Sequence, residues 1–132
     1  VVELTLRNMR TGMQFAIGEV LLRRRESEMA SWVGINPVLW LGAPPTGYRG
    51  ECSAEERRNL SGGEWCFDGE NRALVYRPHS TDHFRALVGG RALECGQLSW
   101  RVAHVPGSVT SGGVIGLRIE AASPCRWVLE GN

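Results

Sequence analysis

The side chains that could do chemistry in this chain are few: His79, His83 and His104, Asp68 and Asp82, the serines, and the four cysteines Cys52, Cys66, Cys95 and Cys125. Ser80-Thr81-Asp82-His83 holds the residue types of a nucleophile, an acid and a base. Neighbours within one loop do not converge on a single proton, however, and no nucleophile-elbow motif surrounds a serine. A polar turn after Pro78 accounts for the stretch. His79 and His83 stand four residues apart with Asp82 between them. That spacing binds metal on a helix, whereas Pro78 and Thr81 argue for a loop, so both histidines read as solvated. His104 follows Trp100 and Val102 at alternate positions and reads as a hydrogen-bonded, partly buried residue at a strand end. The sequence therefore assigns no catalytic residue, no cofactor site and no metal site.

The cysteines are too widely spaced for the C-x-x-C knuckles of a zinc ribbon or a redox motif, and disulfides are the better reading. Chain order suggests Cys52 with Cys66 and Cys95 with Cys125, although four cysteines admit three connectivities. Pairing of either kind implies an oxidising compartment. The glycine pairs at 62–63, 89–90 and 112–113 do not precede helices in the manner of a phosphate-cradling loop, and they read as turns. Of the five tryptophans, Trp65 and Trp100 sit at core parity, so packing is preferred over a carbohydrate platform. Arg23-Arg24-Arg25 is followed at once by Glu26 and Glu28 and reads as a solvated helix end.

Positioning these residues requires a folded scaffold, and the composition supplies one. The chain has 132 residues, 42% hydrophobic and 22% charged, the profile of a folded domain with one core. A net charge of +1, with its basic residues spread along the chain, gives no electrostatic footprint for nucleic acid. All fifteen basic residues are arginine.

The first element is a long helix over residues 1–33. Leu6, Met9, Met13, Ala16, Ile17, Val20 and Leu21 recur at steps of three and four and draw one apolar stripe. Glu3, Arg7, Arg10, Gln14, Glu19 and Arg23 occupy the other side, with Glu3/Arg7 and Glu19/Arg23 at ion-pair spacing. Gly34 is placed as the left-handed residue that ends this helix. Asn36 and Pro37 then open a short turn of helix, with Leu39 or Trp40 pressed inward. Residues 34–63 read as a long connection, with Ser53 and Glu56 positioned to form a capping box.

Residues 64–132 read as an antiparallel sheet. Trp65 and Phe67 alternate with Cys66 ahead of the turn Gly69-Glu70-Asn71, and Leu74 and Tyr76 return, making a hairpin. The parity that turns Trp65 and Phe67 one way turns Cys66 the other, towards the loop that holds Cys52. Phe84 to Val88 and Arg91 to Cys95 make a second hairpin. Leu98, Trp100 and Val102 alternate in one later strand, Ile115, Leu117 and Ile119 in another, and a last short strand runs from Arg126 to Leu129. The predicted fold is α+β: one domain over residues 1–132, with the long helix packed on an antiparallel sheet of four to six short strands. Its packing face is Leu6, Met9, Met13, Ile17, Val20, Leu21, Trp65, Phe67, Trp100 and Leu117.

This order of parts, together with Asn36-Pro37-Val38-Leu39-Trp40-Leu41, Pro44-Pro45-Thr46-Gly47-Tyr48-Arg49-Gly50, Trp65-Cys66-Phe67-Asp68 and Leu74-Val75-Tyr76-Arg77, resembles the soluble part of a type IV pilin-like protein or type II secretion pseudopilin. The resemblance implies a pilin-like roll and a structural, non-enzymatic subunit, here a minor one. Its partners would be other pilin or pseudopilin subunits, in the cell envelope. It also implies a membrane-inserted apolar helix upstream of Val1, since the first helix is already in full stride at residue 4. Residues 1–132 hold no apolar run long enough to span a bilayer. The alternatives are a secreted or periplasmic binding module, such as an adhesin or carbohydrate-binding domain, and a small extracytoplasmic hydrolase using His83.

Overall fold

The computed structural model describes residues 2–79, 84–88, 91–94, 96–107, 109–110, 113–114, 116–122 and 126–127. Cys95, Cys125, Ser80, Asp82, His83 and Ile115 lie outside them, so the second disulfide and the Ser80–His83 stretch are not described. The chain divides into two compact units: Val1–Pro45 with Arg101–Glu120, and Thr46–Trp100 with Ala121–Asn132.

In the first unit, α1 (Val2–Leu22) buries Val2, Leu6, Met9, Met13, Ile17 and Val20. This is the stripe expected from the 3.6-residue period, with two corrections: Ala16 is only half-buried, and Leu21 is exposed. Leu21 is 43% exposed, because it lies well round the helix axis from the line through Met13, Ile17 and Val20. Gly12 is where the helix comes closest to another segment. A Cβ there would overlap the carbonyl oxygen of Trp40, whereas a Cβ at Gly18 would meet nothing within 4 Å. Only Gly12 is needed for packing.

The α-helix ends at Leu22 rather than continuing to residue 33. The next places on the stripe are Arg23, Arg24 and Ser27, so there is no apolar surface left to bury and nothing to reward further helix. The end is a Schellman turn without glycine. Arg24 sits at φ 55, its N–H donates to the Leu21 carbonyl at 3.1 Å, and the Arg25 N–H donates to the Val20 carbonyl at 2.9 Å. A 3₁₀ helix, Glu26–Trp32, follows and buries Met29. Gly34 does take the left-handed conformation, at φ 78, but after this 3₁₀ helix, and its N–H donates to the Val102 carbonyl at 2.8 Å. Asn36 caps a second 3₁₀ helix, Pro37–Trp40, by accepting from the Val38 N–H. Pro37 and Val38 point inward there and Leu39 is 55% exposed, so the expected cap is present with different residues buried. Val102, Leu117 and Ile119 complete the buried set of this unit, and Arg10 donates to the Ile119 carbonyl at 3.3 Å.

The second unit opens with a strand that the periodicity does not announce. β1 (Tyr48–Cys52) pairs in parallel with β2 (Trp65–Asp68), which makes the sheet mixed rather than antiparallel. A parallel partner needs a crossover, here the stretch from Ser53 to Glu64 containing α2 (Ala54–Arg58). The capping box that opens α2 is as expected: Ser53 accepts from the Glu56 N–H, and Glu56 accepts from the Ser53 N–H. The β1 register shifts between Tyr48 and Glu51, where Gly50 adopts φ 84, as at a β-bulge.

β2 and β3 (Ala73–Tyr76) form the expected antiparallel hairpin, with Trp65 opposite Tyr76 and Phe67 opposite Leu74. β3 also pairs with β6 (Leu98–His104), setting Leu74 opposite Trp100. All eight residues of β2 and β3 are buried, so both faces of this hairpin are covered. One face carries Trp65, Tyr76 and Trp100, with ring centroids 4.3 Å apart for Trp65 and Tyr76 and 5.8 Å for Trp65 and Trp100. The other carries Cys66 and Val75, packed with Leu60. The strand order in the main sheet is β1-β2-β3-β6-β9, with β9 at Leu117–Ala121. A separate three-stranded sheet holds β4 (Phe84–Val88), β5 (Arg91–Glu94) and β10 (Arg126–Trp127), and β7 (Val109–Thr110) pairs with β8 (Gly113–Val114). The N-terminal helix and five-stranded mixed sheet make the fold α+β.

Candidate functional site

The disulfide expected from strand parity is present: Cys52 and Cys66 are bonded, with Cα atoms 5.8 Å apart. The crossover it closes is held by more than sulfur. Leu60 is buried against Val75 and Cys66, and Arg77 donates to the Leu60 carbonyl at 2.8 Å. Backbone bonds from Gly63 to Arg77 and from Arg77 to Glu64 extend the hairpin ladder outwards.

Beside it lies Asp68, 1% exposed. Its carboxylate accepts from Arg57 Nη1 at 2.7 Å, from Asn71 Nδ2 at 2.7 Å, and from the N–H groups of Glu70 and Asn71 at 3.1 and 3.2 Å. Burial alone would raise its pKa, but the Asn71 side chain, the Arg57 guanidinium and the Asn71 N–H outweigh it and hold the group at about 2. Arg57 is anchored in turn, its carbonyl accepting from Gln97 Nε2 at 2.5 Å. With four donors already on it, Asp68 is a structural anion that fixes the β2–β3 turn, and it is not free to move protons. The turn needs fixing because Arg72 follows at φ 52.

An open cleft of about 290 Å³ adjoins the disulfide, lined by Arg49, Glu51, Glu56, Asn59, Ser61 and Glu64 among others. Its charged groups are largely engaged. Glu64 accepts from the Ser61 N–H and from Arg49, each at 2.7 Å, which lowers its pKa, and Glu56 serves the α2 cap. Elsewhere burial raises the pKa of Tyr76.

His79 lies in the second unit and His104 in the first, both exposed, so His104 is not the partly buried residue that alternation predicts. The His79 ring lies against Gly63, where a Cβ would sit 2.5 Å from the imidazole. Among the described residues no group of histidine, cysteine, aspartate and glutamate could hold a metal ion, and no helix is long and apolar enough to cross a membrane.

Of the packing face, Leu6, Met9, Met13, Ile17, Val20, Trp65, Phe67, Trp100 and Leu117 are buried. What sequence reasoning missed is a second apolar line on α1. Leu4, Phe15 and Leu22 are 56%, 77% and 87% exposed. With Asn8, Thr11 and Gly18 they follow alternating steps of four and three, on the side opposite the buried stripe. Those steps carry the signal, but the charged Glu3, Arg7 and Glu19 and the polar Gln14 on the flanks mask it. Compared with family models, curated proteins and solved structures, the chain matches none.

Proposed function

We propose that this chain is a structural subunit that works by packing, of the kind found in a type IV pilus or type II secretion pseudopilus. In this reading it is a minor subunit with a pilin-like roll, standing in the cell envelope among subunits of its own class. One observation carries the proposal: α1 has apolar residues on two opposite faces, and only one of them is covered. A helix serving its own domain alone needs a single stripe. Side chains as large as Phe15 and Leu22, standing in line in open solvent, are what a helix offers to a neighbouring helix. The Cys52–Cys66 disulfide supports an oxidising compartment, and the buried carboxylate of Asp68 is spent on a turn.

Sedimentation velocity of the full chain, run from micromolar to millimolar concentration, tests this reading. A mass that rises with concentration in the wild type, and stays monomeric in a Phe15→Ser/Leu22→Ser double variant of unchanged thermal midpoint, is the expected result. A wild type that remains monomeric throughout, alone and when mixed with envelope filament subunits from the same cell, would remove the proposal.

A further inference from the structure

Where α1 ends, the first unit has a small cleft of about 230 Å³, lined by Trp32, the aliphatic Ala16 and Val20, and the four charged side chains Glu19, Arg23, Arg25 and Glu28. The charges are paired with one another. Arg23 Nη2 lies 2.9 Å from Glu19 Oε1, and Arg25 Nε lies 3.1 Å from Glu28 Oε1. The rim is thus neutral, yet one contact apiece uses few of a guanidinium's five N–H donors or a carboxylate's four acceptor positions. Trp32 is half-buried and its indole is set edge-on to Trp40, with centroids 6.1 Å apart and planes at 66°, so the aromatic wall is held in place.

The backbone explains how both pairs reach one cleft. Residues two apart on a continuing helix point roughly 200° away from each other. Arg23 and Arg25 line the same cleft because Arg24 between them adopts φ 55, a conformation that disfavours any residue with a Cβ. Backbone strain retained in this way concentrates at ligand clamps.

We propose that this cleft binds one ring of a neutral saccharide, with an apolar face of the pyranose on the Trp32 indole and its hydroxyls bridging the Arg23–Glu19 and Arg25–Glu28 pairs. An anion would meet two carboxylates along with the two guanidinium groups. An aliphatic ligand would strip water from the rim's polar atoms and replace none of their hydrogen bonds. A polyhydroxylated ring satisfies donors and acceptors together and leaves its C–H face for the aromatic wall. The site uses neither the exposed line on α1 nor assembly, so its test is independent of the subunit reading.

Saturation-transfer NMR on the full chain, with the methyl glycosides of glucose, galactose, mannose and N-acetylglucosamine as probes, decides the matter. At least one glycoside should receive saturation through its ring C–H protons and titrate with a dissociation constant on the order of millimolar, as for a small, partly exposed ligand. Trp32→Ala should abolish transfer, Trp32→Phe should retain it, and Arg25→Met should weaken binding by about tenfold. The proposal is overturned if no glycoside receives saturation, or if a Trp32→Ala variant with the wild-type circular dichroism spectrum binds as well as wild type. Should Trp32→Ala fail to fold, unchanged binding in Arg25→Met overturns it. Displacement of the glycoside by millimolar phosphate, which would mark an anion site, also overturns it.

Discussion

Two places where the chain changes direction are built on opposite plans. The β2–β3 turn is over-determined: a buried carboxylate collects four donors, a guanidinium from α2 closes over it, and a disulfide ties the adjoining crossover. The end of α1 has backbone hydrogen bonds from Arg23, Arg24 and Arg25, an arginine in a left-handed conformation that glycine would occupy at less cost, and ion pairs open to water. The difference teaches where stability is concentrated and where it has been given up. The first region gains by rigidity, whereas the second keeps a costly conformation that brings Arg23 and Arg25 together.

The contrast can be attacked most directly at Asp68. Asp68→Ala leaves the partly buried Arg57 without its anion and should destabilise the protein by about 3–5 kcal/mol in urea unfolding; a loss below about 1 kcal/mol would mean the network adds little. Cys52→Ser/Cys66→Ser removes a constraint on a separation of 14 residues and should cost about 3 kcal/mol, with the α2 contacts keeping the crossover in place in near-ultraviolet circular dichroism. Acid gives a third test. The Asp68 pKa falls from an ordinary value near 3.8 to about 2 on folding, so its contribution is full above pH 4 and lost as pH falls towards 2. The drop should be about 2–3 kcal/mol, and absent in Asp68→Asn.

Smaller effects test the helix. Gly12→Ala should lower stability by about 1–3 kcal/mol through overlap with the Trp40 carbonyl, whereas Gly18→Ala should raise it by up to about 1 kcal/mol through helix propensity alone. Equal responses would contradict the close approach at Gly12. Arg24→Gly should stabilise by about 1 kcal/mol, measured as a rise in thermal midpoint. A loss instead would show that the left-handed arginine is supported by contacts of its own.

Much of this was legible in the sequence wherever a local rule governs. The α1 stripe, the Asn36 and Ser53 caps, the β2–β3 hairpin and the Cys52–Cys66 bond each follow from residues within a few positions of one another, or from strand parity. What escaped depends on partners or on exceptions. β1 has no apolar alternation, since Tyr48-Arg49-Gly50-Glu51-Cys52 is an edge strand with a glycine bulge, and its parallel pairing exists only because the crossover returns the chain. The end of α1 was misplaced because arginine is a poor signal for a left-handed residue, and Gly34 drew the boundary to itself. Asp68 stood out as an acid, but nothing local told that Arg57 would swing over from α2. The Trp32 cleft could not be read from residues spread between 16 and 32, because it takes the helix break to bring them to one place.

The parallel pairing of β1 and β2 also bears on the order in which the molecule comes together. The β2–β3 hairpin closes over the few residues from Gly69 to Arg72, while β1 can dock only after the crossover has been laid down. Short closures precede long ones, because chain entropy must be lost before the longer contact repays it. Cys66 is therefore placed early, on a hairpin already formed, and Cys52 arrives with the last strand of that half. Oxidation acts as a latch on the late arrival: under reducing conditions the edge strand is expected still to dock, held by the Leu60 contacts, but to exchange its amide hydrogens faster than the hairpin.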